Sequence, residues 1–207
     1  MIDCIIFDID GTLIDTEESI IKALQRLLKE RLGKDCSDEE LSFVLGIPGT
    51  TALEKLGLSH IEGLNDVWND YIENYYWNCI KVFDGIEAAL KTLKENNIKT
   101  GIVTSRTREE FDTQFIPFGL AEYMDCVICA DDTLHHKPHP EPLLKFLELS
   151  GVCPQNSIYV GDTAYDMACA KGANIKFALA SWGSRDNSIN PDYVLSKPQD
   201  IVALCAG

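Results

Sequence analysis

Apolar and polar positions change their spacing twice along the chain. The chain opens on a short apolar run, Ile2 to Phe7, broken only by Asp3. A run this short, rich in isoleucine and closed by a turn, predicts a buried strand. After Asp15 the spacing becomes helical: Ile20, Ile21, Leu24, Leu27 and Leu28 fall on one face, with Lys22, Arg26 and Lys29 largely elsewhere. Ser37-Asp38-Glu39-Glu40 predicts a helix start, with a capping serine and acids in the first turn. Gly46-Ile47-Pro48-Gly49 breaks that helix, and Thr50 or Thr51 is expected to cap the next. A longer aromatic-rich helix is predicted from Ile61 to Cys79. Residues 16–80 therefore read as a helical block without a strand.

From Val82 onward the pattern alternates. Ile86, Ala89, Leu90 and Leu93 have the spacing of a half-buried helix. Strands are expected at Ile98 to Thr104, Met124 to Cys129, Ser157 to Val160, Ile175 to Ala180 and, briefly, Tyr193 to Leu195. Helices are expected at Glu109 to Phe115, Leu143 to Leu149, Ala164 to Lys171 and Gln199 to Leu204. Such alternation implies a parallel sheet with helices on both faces, a Rossmann-like three-layer α/β/α core. The first strand belongs to that sheet, so the helical block is an insertion after it.

Composition narrows the function. With 18 basic and 33 acidic residues the net charge is −15, which opposes nonspecific binding to nucleic acid or to an anionic membrane. An anionic small molecule requires a local cluster of cations. No apolar run approaches the length of a membrane span. The first residues are acidic rather than basic, unlike a signal peptide. The eight cysteines are scattered and fit reduced, partly buried thiols. Cys126-Val127-Ile128-Cys129 lacks a second metal-spaced pair and reads as strand. A cytoplasmic protein, monomeric or weakly dimeric, is expected.

The chemistry concentrates where strands end. Phe7-Asp8-Ile9-Asp10-Gly11-Thr12 places two acids on one side of an extended chain, where they repel unless a cation or proton lies between them. That suggests a metal site, a nucleophile–acid pair, or both; a solvated acidic turn is the plainer alternative. Ligands of open parallel sheets bind beyond the carboxyl ends of the strands. Three further strand ends carry polar groups: Thr104-Ser105, Lys137 in the proline-stiffened His135-His136-Lys137-Pro138-His139-Pro140, and Gly161-Asp162 with Asp166 four residues on. Each alone fits a helix cap or a surface charge.

Together these segments resemble the four ordered motifs of the haloacid dehalogenase-like hydrolase superfamily, over nearly the whole chain. The helical insertion resembles that family's cap. The division implied is 1–15 and 81–207 for the core and 16–80 for the cap. Lys137-Pro138-His139-Pro140 and Ser181-Trp182-Gly183 are similar to the phosphoglycolate phosphatase and pyrophosphatase branch. The resemblance implies Asp8 as nucleophile and Asp10 as general acid and base, its pKa raised by neighbours. It implies Mg²⁺ held by Asp8, the Asp10 carbonyl and Asp162, with Asp166 behind them orienting a bound water or Lys137. Phosphate would be held by Lys137, Thr104, Ser105 and the tight turn at Gly11. Dehalogenases of the superfamily lack the second acid of the first motif, so Asp10 favours phosphoryl chemistry on a small phosphorylated substrate.

Two rivals remain. A beta-phosphoglucomutase-like phosphomutase shares all four motifs, but the loop Gly46-Ile47-Pro48-Gly49-Thr50-Thr51 carries no basic residue before Lys55. A non-catalytic binding protein on the same fold is expected to lack Asp8, Asp10 or Lys137. The same small neutral loop is expected to meet the leaving group, which suits phosphoglycolate or pyrophosphate. His135, His136 and His139 show no carboxylate at ligand spacing and are expected to line or flank the phosphate site, with simple packing as the alternative for His139. Trp68, Tyr71, Tyr75 and Tyr76 are expected to pack, and Glu17 and Glu18 to be exposed helix-start acids.

Overall fold

The computed structural model describes residues 2–185 and 189–205. In chain order, β1 (Cys4–Phe7) leads through a turn to β2 (Ile14–Asp15), followed by α1 (Glu17–Leu32), α2 (Asp38–Leu41), α3 (Gly49–Lys55) and α4 (Leu64–Tyr71). Next come β3 (Lys81–Val82), α5 (Ile86–Glu95), β4 (Lys99–Val103), α6 (Arg108–Gln114) and β5 (Cys126–Ile128). The chain closes with α7 (Glu141–Ser150), β6 (Ser157–Gly161), α8 (Ala164–Gly172), β7 (Lys176–Ala180), β8 (Tyr193–Leu195) and α9 (Asp200–Ala203). Six strands form one parallel sheet in the order β5-β4-β1-β6-β7-β8.

The alternation within β1 divides the core. Ile5 and Phe7 enter one buried cluster with Ile86, Leu90 and Leu93 of α5, while Cys4 and Ile6 enter another with Leu143 and Phe146 of α7. Burying both faces explains the continuous apolar run, since neither face can be polar. Phe7 lies level with Ile102 of β4 and with Val160 of β6. That register brings the residues just past these strands, Asp8, Thr104 and Asp162, to one edge of the sheet. The chain leaves β1 for β4 and β5 on one side and returns to β6 on the other, so this edge is where the strand order reverses.

Helix starts follow the sequence where the capping partners lie within one turn of each other. Ser37 caps α2 with a reciprocal bond to Glu40, as the spacing predicts. Thr163 and Asp166 do the same for α8, and Thr107 and Glu110 for α6. Other boundaries moved. Neither Thr50 nor Thr51 caps α3; it begins at Gly49 directly after Pro48, which has extended backbone. The long aromatic helix starts at Leu64 rather than Ile61, because Gly63 takes a left-handed conformation. It then continues as a wider π turn, Ile72–Tyr76, and a 3₁₀ turn, Trp77–Cys79. A two-residue antiparallel ladder pairs Ile14 with Val82 and Asp15 with Lys81 where the helical block leaves and rejoins the sheet. Two residues carry no periodicity, so the apolar pattern does not announce it. Among the described residues no strand lies between β2 and β3, and no helix is long and apolar enough to cross a membrane.

Candidate active site

Asp8 follows β1 directly and is buried, its N–H donating to the Val160 carbonyl at 2.9 Å. Its carboxylate meets Lys137 Nζ at 2.9 Å, and Lys137 meets Asp166 Oδ1 at 2.7 Å on its other side. Burial would push the lysine down, but Asp166 and Asp8 together outweigh it and hold the ammonium charged well above its ordinary range. Tyr159, wholly buried in β6, closes the cluster: its hydroxyl donates to the Val103 carbonyl at 2.9 Å and lies 3.1 Å from Asp166 Oδ1 and 3.3 Å from Lys137 Nζ. Asp166 also accepts from the N–H and hydroxyl of Thr163, so its carboxylate is saturated by protein donors.

Asp10 has a separate partner. The i, i+2 spacing leads to an expectation that Asp8 and Asp10 face one spot, and both do line one small hollow. Arg106, however, grips Asp10 through Nε to Oδ2 at 2.9 Å and Nη2 to Oδ1 at 2.7 Å, and Thr16 donates to Oδ1 at 2.7 Å. Burial would raise the Asp10 carboxyl, but Arg106 and Thr16 outweigh it and hold it below the ordinary range. The expectation of a raised Asp10 is therefore corrected; the raised member is Asp8, pushed to about 7 by burial first and then by Asp166 and Asp10, against Lys137. The four strand-end motifs do not include Arg106. The available signal was an arginine two residues beyond Thr104, at a strand end, in an acid-rich chain.

A third group of oxygens lies on the other side of Asp8. Asp8, Asp162 and Asp166 each offer a carboxylate oxygen within 4.8 Å of the others. Asp162 receives only a long 3.5 Å bond from Thr12 among the described contacts. Burial and the charges of Asp166, Asp8 and Asp10 push its carboxyl well above the usual range, with only Lys137 opposing. Crowded, under-partnered carboxylates are a hard oxygen donor set that suits a divalent cation. Asp162 and Asp8 are the available members, because Asp166 is already engaged. Gly11 permits this approach: at its φ of +73° a Cβ would stand 2.2 Å from Asp162 Oδ2. Gly183 lies against the same turn, where a Cβ would stand 1.8 Å from the Gly11 carbonyl oxygen, and Trp182 Nε1 donates to the Thr12 carbonyl at 3.0 Å.

Thr104 is buried at the end of β4, its Oγ1 accepting from the Arg106 N–H at 3.2 Å. Ser105 reaches instead to the helical block, donating to the Gly46 carbonyl at 3.1 Å. Gly46, Ile47 and Gly49 line the small hollow of about 70 Å³ with Asp8, Asp10 and Arg106, and Trp68 joins them while donating to the Ile20 carbonyl at 3.1 Å. A larger cavity of about 760 Å³ lies beyond Asp10 and Asp162 and is bordered by Glu17, which pairs with Arg185. Glu18 pairs with Lys22 on the surface. Tyr71 is buried as expected, but Tyr75 is 55% exposed under the Arg26 guanidinium, and Tyr76 is half-buried. The histidine reading is corrected too. His135 and His139 are exposed side by side, and Glu141 lies 2.5 Å and 3.9 Å from their Nδ1 atoms, a carboxylate brought to them by the start of α7. They do not line the hollow of Asp8 and Asp10.

A model of the haloacid dehalogenase-like hydrolase family matches residues 5–180. A protein of Caldanaerobacter subterraneus named as a candidate pyrophosphatase, PpaX, is 31% identical over 100% of this chain and 96% of its own. A crystal structure from Lactobacillus plantarum, titled as a candidate phosphoglycolate phosphatase, superposes with a TM-score of 0.89 at 30% identity, covering 99% of both chains. A beta-phosphoglucomutase from Clostridium difficile shares the fold at a TM-score of 0.79 and 24% identity, over 97% of this chain and 93% of that one. With the four strand-end motifs gathered at one sheet edge and the family model spanning most of the sequence, the chain belongs to the haloacid dehalogenase-like hydrolase family.

Proposed function

We propose that this enzyme, of the phosphatase class within its family, is a Mg²⁺-dependent hydrolase of a compact phosphate monoester resembling phosphoglycolate, or of pyrophosphate. The observation that carries the reading is the buried Lys137 between Asp8 and Asp166 at 2.9 and 2.7 Å. A buried cation held against one carboxylate by another is a countercharge for a phosphoryl group at Asp8. Asp8 attacks phosphorus and becomes an aspartyl phosphate, and water then releases phosphate from it. Asp10, kept ionised by Arg106 and Thr16, takes the proton of that water in the second step; so protonated, and loosened from Arg106, it gives that same proton to the leaving oxygen of the next substrate. Thr104 offers a hydroxyl to the phosphoryl oxygens. Asp8, Asp162 and the Asp10 carbonyl would hold Mg²⁺, which supplies charge stabilisation to the phosphoryl oxygens when bound.

Residues 16–80 serve in this reading as a cap that closes over Asp8 and excludes water. The bond from Ser105 to Gly46 and the apolar wall of Ile20, Val44 and Trp68 support it. The small volume of the hollow favours a short leaving group over a hexose, and so hydrolysis over the phosphomutase alternative. The test is phosphate release from p-nitrophenyl phosphate with and without Mg²⁺, compared with Asp8→Asn, followed by a kcat/KM screen of small phosphate compounds. Release that is equal in both proteins removes Asp8 as nucleophile. Isomer formation from beta-glucose 1-phosphate without net phosphate release replaces hydrolysis by mutase chemistry.

A further inference from the structure

The hollow above Asp8 contains one cation. Its wall is mostly apolar or amide, with Ile20, Val44, Ile47, Trp68, Asn69 and Ile72 on the side of the helical block, and Arg106 is its only basic residue among the described ones. The acids around it differ in what they have left to offer. Asp8 is paired with Lys137, and Glu110 accepts from Asn69 with one oxygen and from the Thr107 N–H with the other. Arg106 and Asp10 therefore form the charged contact of the hollow itself, at 8% and 18% side-chain exposure.

A guanidinium has five N–H bonds. Arg106 gives Nε and one Nη2 hydrogen to Asp10 and one Nη1 hydrogen to Gln114 Oε1 at 2.7 Å. One N–H on each of Nη1 and Nη2 is left without a partner among the described contacts. A pair of donors on neighbouring nitrogens is what the two oxygens of a carboxylate or phosphate accept. The group is also fixed in place, because Gln114 is tied to Glu73 of the helical block at 3.2 Å and the Arg106 N–H to Thr104 at 3.2 Å. In a chain of net charge −15, an anionic leaving group beside Asp10 would be repelled unless such a cation stood between them. The apolar walls strengthen that discrimination by lowering the local dielectric.

We propose that Arg106 determines specificity at this site by binding an anionic leaving group, so that diphosphates and phosphorylated hydroxy acids are selected over phosphate esters of neutral alcohols. The inference rests on the phosphatase reading above and adds to it the chemical class of the leaving group. The test compares kcat/KM of the full chain in Mg²⁺ for pyrophosphate and phosphoglycolate with that for 2-hydroxyethyl phosphate, which has the shape of phosphoglycolate but a neutral leaving alcohol. Wild type is expected to prefer the anionic members by about 10- to 100-fold, the size of one charge-assisted contact. Arg106→Gln is expected to bring that ratio to within about 3-fold, chiefly through KM of the anionic substrates, and Arg106→Lys, which keeps charge without the fork, to fall between. The ratio of phosphoglycolate to 2-hydroxyethyl phosphate, whose leaving groups are both alkoxides, cancels what passes through Asp10, while pyrophosphate, with its less basic leaving oxygen, is read through KM. A wild-type ratio near one, or a ratio unchanged in Arg106→Gln while all rates fall together, overturns the specificity role and leaves the phosphatase reading standing. No release from any of the compounds by wild type overturns both. Should Arg106→Gln fail to fold, the wild-type ratio and Arg106→Lys still decide.

Discussion

Replacing Asp166 and Asp162 by asparagine, one at a time, is expected to move thermal stability in opposite directions, although both acids belong to one cluster of carboxylates within 4.8 Å. Asp166 is saturated: it accepts from Lys137 and twice from Thr163, with the Tyr159 hydroxyl packed against it. An asparagine must turn its NH₂ toward some of those donors, either toward Lys137 or toward the cap of α8. Breaking a buried ion pair costs about 3–5 kcal/mol, and Asp8 retains part of the lysine's pairing, so a loss of about 2–3 kcal/mol is expected. In a chain of this size that lowers Tm by about 4–12 °C. Asp162 has little to lose. Like charges at 4.8 Å with an effective dielectric near 20 repel by about 3 kcal/mol. Lys137 offsets much of this, leaving about 1 kcal/mol of relief, a rise of about 2–4 °C. The assay is thermal unfolding followed by circular dichroism in EDTA and in excess Mg²⁺. Wild type is expected to gain stability with Mg²⁺, and Asp162→Asn to lose that gain. Shifts of the same sign in EDTA, or a full Mg²⁺ response in Asp162→Asn, would refute the division of labour between the two acids.

Two further outcomes follow from other parts of the molecule. Gly183→Ala sets a Cβ 1.8 Å from the Gly11 carbonyl oxygen, a backbone atom that cannot swing aside, so the turn carrying Asp8 and Asp10 must shift. A fall in kcat of about 10- to 100-fold with the circular dichroism spectrum retained is expected, whereas Gly119→Ala, in open space at φ +75°, is expected to cost about 1 kcal/mol of stability and no activity. Asp125 accepts from Lys94 at 2.7 Å and from the Thr100 N–H at 2.9 Å. Burial would raise its carboxyl, but these bonds and the charges of Lys94 and Lys99 hold it below the ordinary value. A depressed folded pKa gives stability that is present above the unfolded value of about 3.9 and is lost as pH falls through the folded value. The urea midpoint of wild type should therefore exceed that of Asp125→Asn near pH 7 and converge with it in acid; a gap independent of pH would contradict this.

The sequence by itself determined the alternation of strands and helices, the helical insertion, and the strand ends at which Asp8, Thr104, Lys137 and Asp162 appear. These are legible because burial imposes a period on the chain and because a catalytic strand end is a short contiguous stretch. Ser37 was legible as a cap for the same reason: its partner, Glu40, is three residues away. Tertiary structure decided what each charge does. Asp8 and Asp10 are neighbours in sequence, yet one is held by Lys137 and the other by Arg106, residues far along the chain that only the sheet register brings near. Those partners reverse the expected order of their acidities. Tyr159 reads as one more apolar strand residue until its hydroxyl is seen against Val103, Asp166 and Lys137. A side chain's type is written in the sequence, but its charge state depends on burial and on neighbours at a few ångströms, and folding alone sets those distances.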